Sequence, residues 1–438
     1  MVGSIFHTVA HSLRRHKLSQ DIAISMGSFA VLASSGIVIN VAVAMLRDAA
    51  ALGVFNLAYA VYIVASQIAT WGLHYSVLRH SAYHADDLRE RTVMLSSAGA
   101  CTLLFGAFGA ALMWFSQPVF AIAFKSDATA MAIALNAGGL VLFPFNKVLL
   151  AYLNGLRRMR AHAFLQALRY IVVMAGVVGI AASDLPIAAS TLAFLLAETV
   201  TCVAAIDCIA RAKLSQLPLV SVAWCRRHLA FGSKSLPAGM FTEINSRIDV
   251  LMIGFFLSDR SVGIYSFAAM LVDGAYHVLA MVRLNFNPVL VAALKQHDVP
   301  QLTMLRVQAA RYALPVTLLL SFGLIAAYVI ASTWIIPGKG LDEGLASLVV
   351  LLVGLNLICT WIPFDNLLLV SGRPGYQALQ QLVAVGANVI GSSVLLPLLG
   401  LEGAALGTAL SYIAGTAALF VLSRQLIGWR LFTNTWHN

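Results

Sequence analysis

Apolar runs about as long as a bilayer is thick recur along the chain, separated by short polar breaks. They fall at about 23–46, 53–78, 92–115, 129–153, 162–182 and 188–210. After a more polar stretch they resume at about 235–257, 262–290, 310–335, 344–370, 375–398 and 402–423. Roughly 20 apolar residues in helical form cross the hydrocarbon core. The pattern therefore predicts an all-α, polytopic membrane protein with 12 transmembrane helices. The first run begins near Asp21, behind Arg14, Arg15 and Lys17. It is long enough to span, so it reads as a retained helix rather than a cleaved signal.

Composition agrees with that pattern. Of the 438 residues, 60% are hydrophobic and 11% charged, and the mean hydropathy is +0.86. Soluble domains carry about 25% charged residues. The formal net charge of +10 raises the question of nucleic acid, and the topology answers it. Cytoplasmic segments of membrane proteins carry the Lys and Arg excess. With the N-terminus inside, 20 of the 28 Lys and Arg fall in cytoplasmic segments. Four (Arg47, Lys125, Arg260, Lys339) fall outside and four (Lys147, Arg169, Arg247, Arg283) within spans. The basic balance thus reports membrane orientation, with both termini cytoplasmic, and no nucleic-acid partner is expected.

The two sets of six spans align with each other. GVFNLAYA at 53–60 opens the second span and GIYSFAAM at 263–270 the eighth; LLAYLNGLR at 149–157 leaves the fourth and LLLVSGR at 367–373 the tenth. Six spans per half keep both repeats in one orientation. The expected architecture is two six-helix bundles, 1–211 and 235–438, related by a pseudo-two-fold along the membrane normal. The connecting stretch 212–234 is basic, contains Pro218 and interleaves apolar residues. It reads either as an interfacial amphipathic segment or as a plain linker.

What the chain lacks narrows its class. No G-x-x-x-x-G-K-[ST] phosphate loop occurs, which argues against direct ATP hydrolysis by that route. No His/Glu or His/Cys cluster has metal-ligand spacing. Cys101, Cys202, Cys208, Cys225 and Cys359 read as buried free thiols. His297 and Asp298 read as a solvated loop. External loops are short, with no room for a soluble catalytic domain. Paired halves with ionisable residues inside the spans point to a secondary transporter rather than an enzyme.

Three longer stretches carry a family resemblance. FGSKSLPAGMFTEINSRIDVLMIGFFLSDRSVGIYSFAAML (231–271) contains Leu236-Pro237, the run 248–254 and Val-Gly-Ile-Tyr at 262–265. It resembles the start of the second half of Wzx-like polysaccharide flippases, a branch of the multidrug/oligosaccharidyl-lipid/polysaccharide exporter superfamily. GVFNLAYAVYIVASQIATWGLHYSVLRH (53–80) resembles the second helix of that family, and GLEGAALGTALSY (400–412) its last. The resemblance implies a bacterial inner-membrane exporter flipping an undecaprenyl-pyrophosphate-linked oligosaccharide for surface polysaccharide synthesis. Its implied surroundings are membrane lipid, a polysaccharide polymerase and chain-length machinery. No cofactor is implied, and a coupling ion, sodium or proton, stays open. The alternatives are a peptidoglycan lipid-precursor flippase, a small-molecule antiporter of the same superfamily, or a membrane glycosyltransferase or polymerase. Drug–cation antiporters commonly carry an acidic residue in the first helix; residues 23–46 contain only mild polar groups such as Ser34, Ser35 and Asn40.

Ionisable groups at membrane depth mark candidate sites, since each costs about 2.5–3.5 kcal/mol on insertion scales. In a continuous seventh span, Glu243 and Arg247 lie four residues apart, about 6 Å along one face. Asp249 points elsewhere. Arg247 is the leading candidate for the substrate pyrophosphate, because guanidinium matches phosphate geometry and stays charged. Glu243 is its expected partner, and Asp249 a structural or gating partner, with coupling-ion binding as the lesser reading. Asp273 and His277 are a candidate carboxylate–imidazole pair on the eighth span. Lys147, Arg169 and Arg283 are further candidate phosphate contacts, or snorkelling cations. Glu198 and Asp365 are candidate counter-ions for Lys147 and Arg169. Asn56, Gln67, Asn136 and Asn245 are candidate donors to sugar or to neighbouring helices.

Overall fold

A computed structural model describes residues 27–28, 30–217, 219–296 and 298–436. Arg14, Arg15 and Lys17, the opening of the first span, Pro218 and His297 lie outside the described residues. Helices account for nearly all of the described chain, as they must where no water can satisfy backbone groups. In chain order they are α1 (Ala30–Leu46), α2 (Ala49–Thr70), α3 (Leu73–Tyr83), α4 (Leu88–Phe115), α5 (Gln117–Phe124) and α6 (Asp127–Gly155). Then come α7 (Met159–Ala181), α8 (Leu192–Arg211), α9 (Val222–Asn245), α10 (Ile248–Phe256), α11 (Asp259–Gln296) and α12 (Val299–Ile330). The chain closes with α13 (Leu345–Ile358), α14 (Leu367–Val370), α15 (Pro374–Leu399), α16 (Leu401–Ile427) and a hairpin of β1 (Trp429–Arg430) and β2 (Thr435–Trp436).

Among the described residues, 10 helices are long and apolar enough to cross a membrane. α1 supplies a further apolar segment, and the seventh span is divided between α9 and α10. This agrees with twelve spans. Helix starts follow local chemistry: the Asp87 carboxylate accepts from the Glu90 amide at 2.9 Å and Asp298 from Gln301 at 3.0 Å, opening α4 and α12. Pro144, Pro237, Pro288 and Pro315 lie inside helices, as membrane helices tolerate.

The chain forms two compact units. The first holds the described residues up to Ile39, with Ala65–Ser116 and Ile133–Leu236; the second holds Asn40–Val64, Gln117–Ala132 and Pro237–Asn438. In each unit, the end carrying the Lys and Arg excess has its own aromatic cap. In the first unit, Leu214 and Trp224, which follow α8, join a buried cluster with Leu73, Val77, Met94, Tyr152 and Leu153. Backbone bonds fix the connection: Gln216 donates to the Thr92 hydroxyl and Ser221 to Ser97, each at 2.9 Å. In the second unit, Trp429 and Leu431, which follow α16, pack with Leu290, Leu302, Phe364 and Leu367. Trp429 stacks on Trp436, and Arg306 lies over Trp361 while donating to the Leu431 carbonyl.

The opposite end of the second unit holds a reciprocal helix crossing. A Cβ on Gly53 would sit 1.7 Å from the Asp259 carbonyl oxygen, and one on Gly263 1.8 Å from that of Ala49. Only glycine lets α2 and α11 approach this closely. The same sequence offset separates Gly53 from Gly263 and Ala49 from Asp259. Such mutual contact is what a two-fold relation between repeats produces. Beside it, the Asp259 carboxylate accepts from Ser126 at 2.5 Å and Thr129 at 2.8 Å. Lys339 donates to the Arg47 carbonyl.

Candidate functional site

Each unit contains polar contacts built from the ionisable residues of its spans. In the first unit, α8 carries Glu198, which is fully buried. α7 brings the Arg169 Nε to 2.7 Å from its Oε1. α6 contributes Asn146, whose amide donates to Glu198 Oε2 and to the Glu198 carbonyl, each at 2.8 Å. The next residue, Lys147, donates to Gln67 of α2 at 2.9 Å. Phe143, one helical turn earlier, lies between the two cations: Arg169 is 4.4 Å and Lys147 5.5 Å from its ring centre. Glu198 is thus the counter-ion of Arg169.

The second group centres on the seventh span, where the structure departs from a continuous helix. α9 ends at Asn245 and α10 begins at Ile248. At the break, Ser246 Oγ donates to the Glu243 carbonyl at 2.8 Å and the Arg247 amide to Ile244 at 3.0 Å. A tightened turn replaces the regular helical pattern there. This removes the i,i+4 relation on which a Glu243–Arg247 pair depends, and the two are not within ion-pair distance. Among the described residues the ion pairs are Arg169–Glu198, Arg211–Asp207, Arg260–Glu343 and Arg283–Asp365. Arg247 instead lies 5.1 Å over the Tyr59 ring, its Nε buried without a hydrogen-bond partner. Asn245 accepts from Ser411 of α16 at 3.2 Å.

Asp249 is buried in the first turn of α10. Its Oδ2 accepts from the Tyr265 hydroxyl at 2.8 Å, and Oδ1 from the Val250 amide at 2.8 Å. Tyr265 also meets Thr408 at 3.2 Å, so one carboxylate ties α10 to α11 and α16. Asp273 and His277 do not form a carboxylate–imidazole pair. The His277 Nδ1 bonds the Asp273 backbone carbonyl at 2.6 Å, and the ring is exposed; a helical i,i+4 spacing offers that carbonyl as readily as the side chain. Asp365 does not serve the cations of the first half. It holds Arg283 at 2.8 Å and accepts from Gln380 at 2.9 Å. Tyr276 receives a second, longer bond from Arg283 at 3.3 Å.

Sequence reasoning singled out the charges and passed over their neutral partners. Tyr59 lies in GVFNLAYA and Tyr265 in Val-Gly-Ile-Tyr, both already recognised as repeat or family segments. Asn146 and Gln380 gave no signal beyond being polar in a span. Asn56 bonds Asn40 at 2.9 Å, which places it in helix-to-helix bonding. Among the described residues, no group of three or more His, Cys, Asp or Glu has metal-site geometry.

Solved structures of membrane transporters share this arrangement of helices. They include the lipid II flippase MurJ in an inward closed conformation (TM-score 0.75, 15% identity, 92% of this chain and 87% of that chain). An inward-facing MATE multidrug transporter of the MOP superfamily matches with TM-score 0.70 and 12% identity, over 93% and 99% of the two chains. A MOP superfamily transporter from Pyrococcus furiosus matches with TM-score 0.56 and 13% identity, over 94% of each chain. The polysaccharide biosynthesis protein family profile matches residues 18–291, and the chain belongs to that family. A comparison with curated proteins found no match. The structural neighbours named here are a flippase and transporters.

Proposed function

We propose that the chain is a flippase carrying a polyprenyl-pyrophosphate-linked oligosaccharide from the cytoplasmic to the outer leaflet of a bacterial inner membrane. Its product would feed O-antigen, capsule or exopolysaccharide synthesis, by alternating access. The observation that carries the reading is Arg247: a half-buried side chain whose Nε is buried, at a break in a membrane helix, against Tyr59, with no carboxylate at ion-pair distance among the described residues. A membrane interior holds such a cation when an anion visits it.

Lys147, beside Phe143 in the first unit, is the second phosphate contact in this reading. Arg169 and Arg283 each have a carboxylate at 2.7–2.8 Å, so their charge is spent within the fold and they position neighbouring groups. Asp249 acts as a gating tie among α10, α11 and α16. Glu243 and Asp273 set the field around Arg247. Family membership favours a polysaccharide precursor over lipid II, although the MurJ likeness makes lipid II the substrate to compare against.

The test is reconstitution in vesicles with fluorescent lipid-linked oligosaccharide or lipid II, scored by how fast each reaches the far leaflet. Oligosaccharide should move faster, and Arg247→Ala should slow it at least about tenfold, with Arg247→Lys partly active. Full-rate transport by a stably folded Arg247→Ala protein would remove Arg247 from the site. Preference for lipid II would replace the substrate assignment.

A further inference from the structure

The connection between α8 and α9 carries an apolar ridge that the transport reading does not use. Leu217, Leu219, Val220 and Val222 are 85%, 55%, 63% and 68% exposed. This exposure is not that of a loose loop. The inner side of the same stretch is pinned to the first unit: Tyr152 donates to the Leu214 carbonyl, Thr92 accepts from Gln216 and Ser97 from Ser221. Immediately afterwards Trp224 donates to Glu90 at 2.8 Å and His228 is buried against Ser76 and the Met94 carbonyl. The four apolar side chains are therefore exposed between points where the backbone is bonded to the first unit.

Charge around the ridge is mostly positive, Arg211 being paired with Asp207 and Glu90 bonded to Trp224. Arg211, Lys213, Arg226, Arg227 and Lys234 are exposed, and the sequence contains no Asp or Glu between Asp207 and Glu243. An apolar edge flanked mainly by cations matches the interface of an anionic bilayer, where acyl chains lie beneath phosphate headgroups. The geometry points to a membrane-surface anchor: the ridge inserts into the cytoplasmic leaflet, and Lys213, Arg226 and their neighbours bind anionic phospholipid headgroups. The assignment depends on the basic end facing the cytoplasm and not on the proposed substrate. It makes the connection between the halves sensitive to lipid charge.

An environment-sensitive fluorophore at position 220 tests this, introduced as Val220→Cys with Cys208→Ser and Cys225→Ser. The protein is placed in nanodiscs of phosphatidylcholine with or without phosphatidylglycerol. Insertion predicts blue-shifted emission and quenching by lipids brominated on their acyl chains, both stronger with phosphatidylglycerol and weakened by K213Q/R226Q. Aqueous emission in both compositions would overturn the anchor and leave a water-exposed face for a protein partner. Quenching that ignores phosphatidylglycerol would overturn the headgroup assignment. Native mass spectrometry of the protein without the fluorophore gives an independent reading. Each basic residue near an anionic surface contributes about fivefold, so K213Q/R226Q should lower phosphatidylglycerol retention about 25-fold. Unchanged retention would sink the headgroup assignment.

Discussion

At the scale of single residues, the interior cations divide into those neutralised by the fold and those that are not. Glu198 is fully buried and bonded to Arg169 and Asn146. Removing one member of a buried pair strands the other charge and costs about 3–5 kcal/mol, whereas replacing both by apolar residues is often close to neutral. Glu198→Ala should therefore lower the melting temperature in detergent markedly, and the double change Arg169→Met/Glu198→Met should recover most of the loss. Equal melting of Glu198→Ala and the parent would show that the pair does not support the fold. Arg247→Ala should behave in the opposite way. It gives up chiefly the contact with Tyr59, about 0.5–2 kcal/mol, so melting shifts little while transport falls. The charges themselves were legible in the sequence, because each interrupts an apolar run. Their partners were not, because Asp365 and Arg283, or Glu198 and Arg169, meet through helix packing that no local spacing records.

At the scale of elements, span length and position were readable because the bilayer imposes them. The break in the seventh span was not. TEINSRID contains neither glycine nor proline, and Pro237 lies well upstream, so the segment reads as continuous helix. The connection before it was read as either interfacial or plain, and it does two things: its helical part docks on the first unit while the preceding stretch turns apolar side chains outward. That docking has a built-in pH dependence. His228 Nε2 donates to the Met94 carbonyl at 3.1 Å, which fixes the neutral tautomer and leaves Nδ1 to accept from Ser76 at 2.8 Å. Burial, reinforced by His80, lowers the imidazole to about 4 from 6.5. Around it stand Trp224, His80, Arg79 and Arg227, with Glu90 held by Trp224. A histidine depressed in the docked state binds its proton more readily when undocked. Docking is therefore fully stable above pH 6.5 and weakens as pH falls toward 4, by about 3 kcal/mol in all. Hydrogen-exchange protection over 222–231, corrected for intrinsic rates, should drop through that window and stay level in His228→Gln. Protection independent of pH in the parent would remove His228 as its cause.

At the scale of the whole molecule, the internal repeat seen in GVFNLAYA and GIYSFAAM reappears as the crossing of Gly53 with Asp259 and of Gly263 with Ala49. The repeat was visible because those glycines are fixed by backbone contact. Their meeting was not, since a repeat gives an offset and no distance. The crossing, the Asp259 bonds to Ser126 and Thr129, and the Lys339 bond to Arg47 join first-half and second-half segments within the second unit, at the end opposite its own aromatic cap. In the proposed transport cycle these contacts close the outer side and must part once per turnover, because a head group cannot leave through a backbone-to-backbone crossing. Hydroxyl-to-carboxylate bonds suit that duty: each contributes about 1.5–3 kcal/mol, strong enough to hold a state and weak enough to release it. Covalent closure should then stop transport without harming the fold. Ser126→Cys/Asp259→Cys, oxidised in vesicles, should form a disulfide, retain its melting temperature and lose lipid-linked oligosaccharide movement, with full recovery on reduction. Each single cysteine variant under the same oxidant should keep moving substrate. Undiminished transport by the fully cross-linked protein would mean that these segments stay joined throughout the cycle, and that the outer opening lies elsewhere on the molecule.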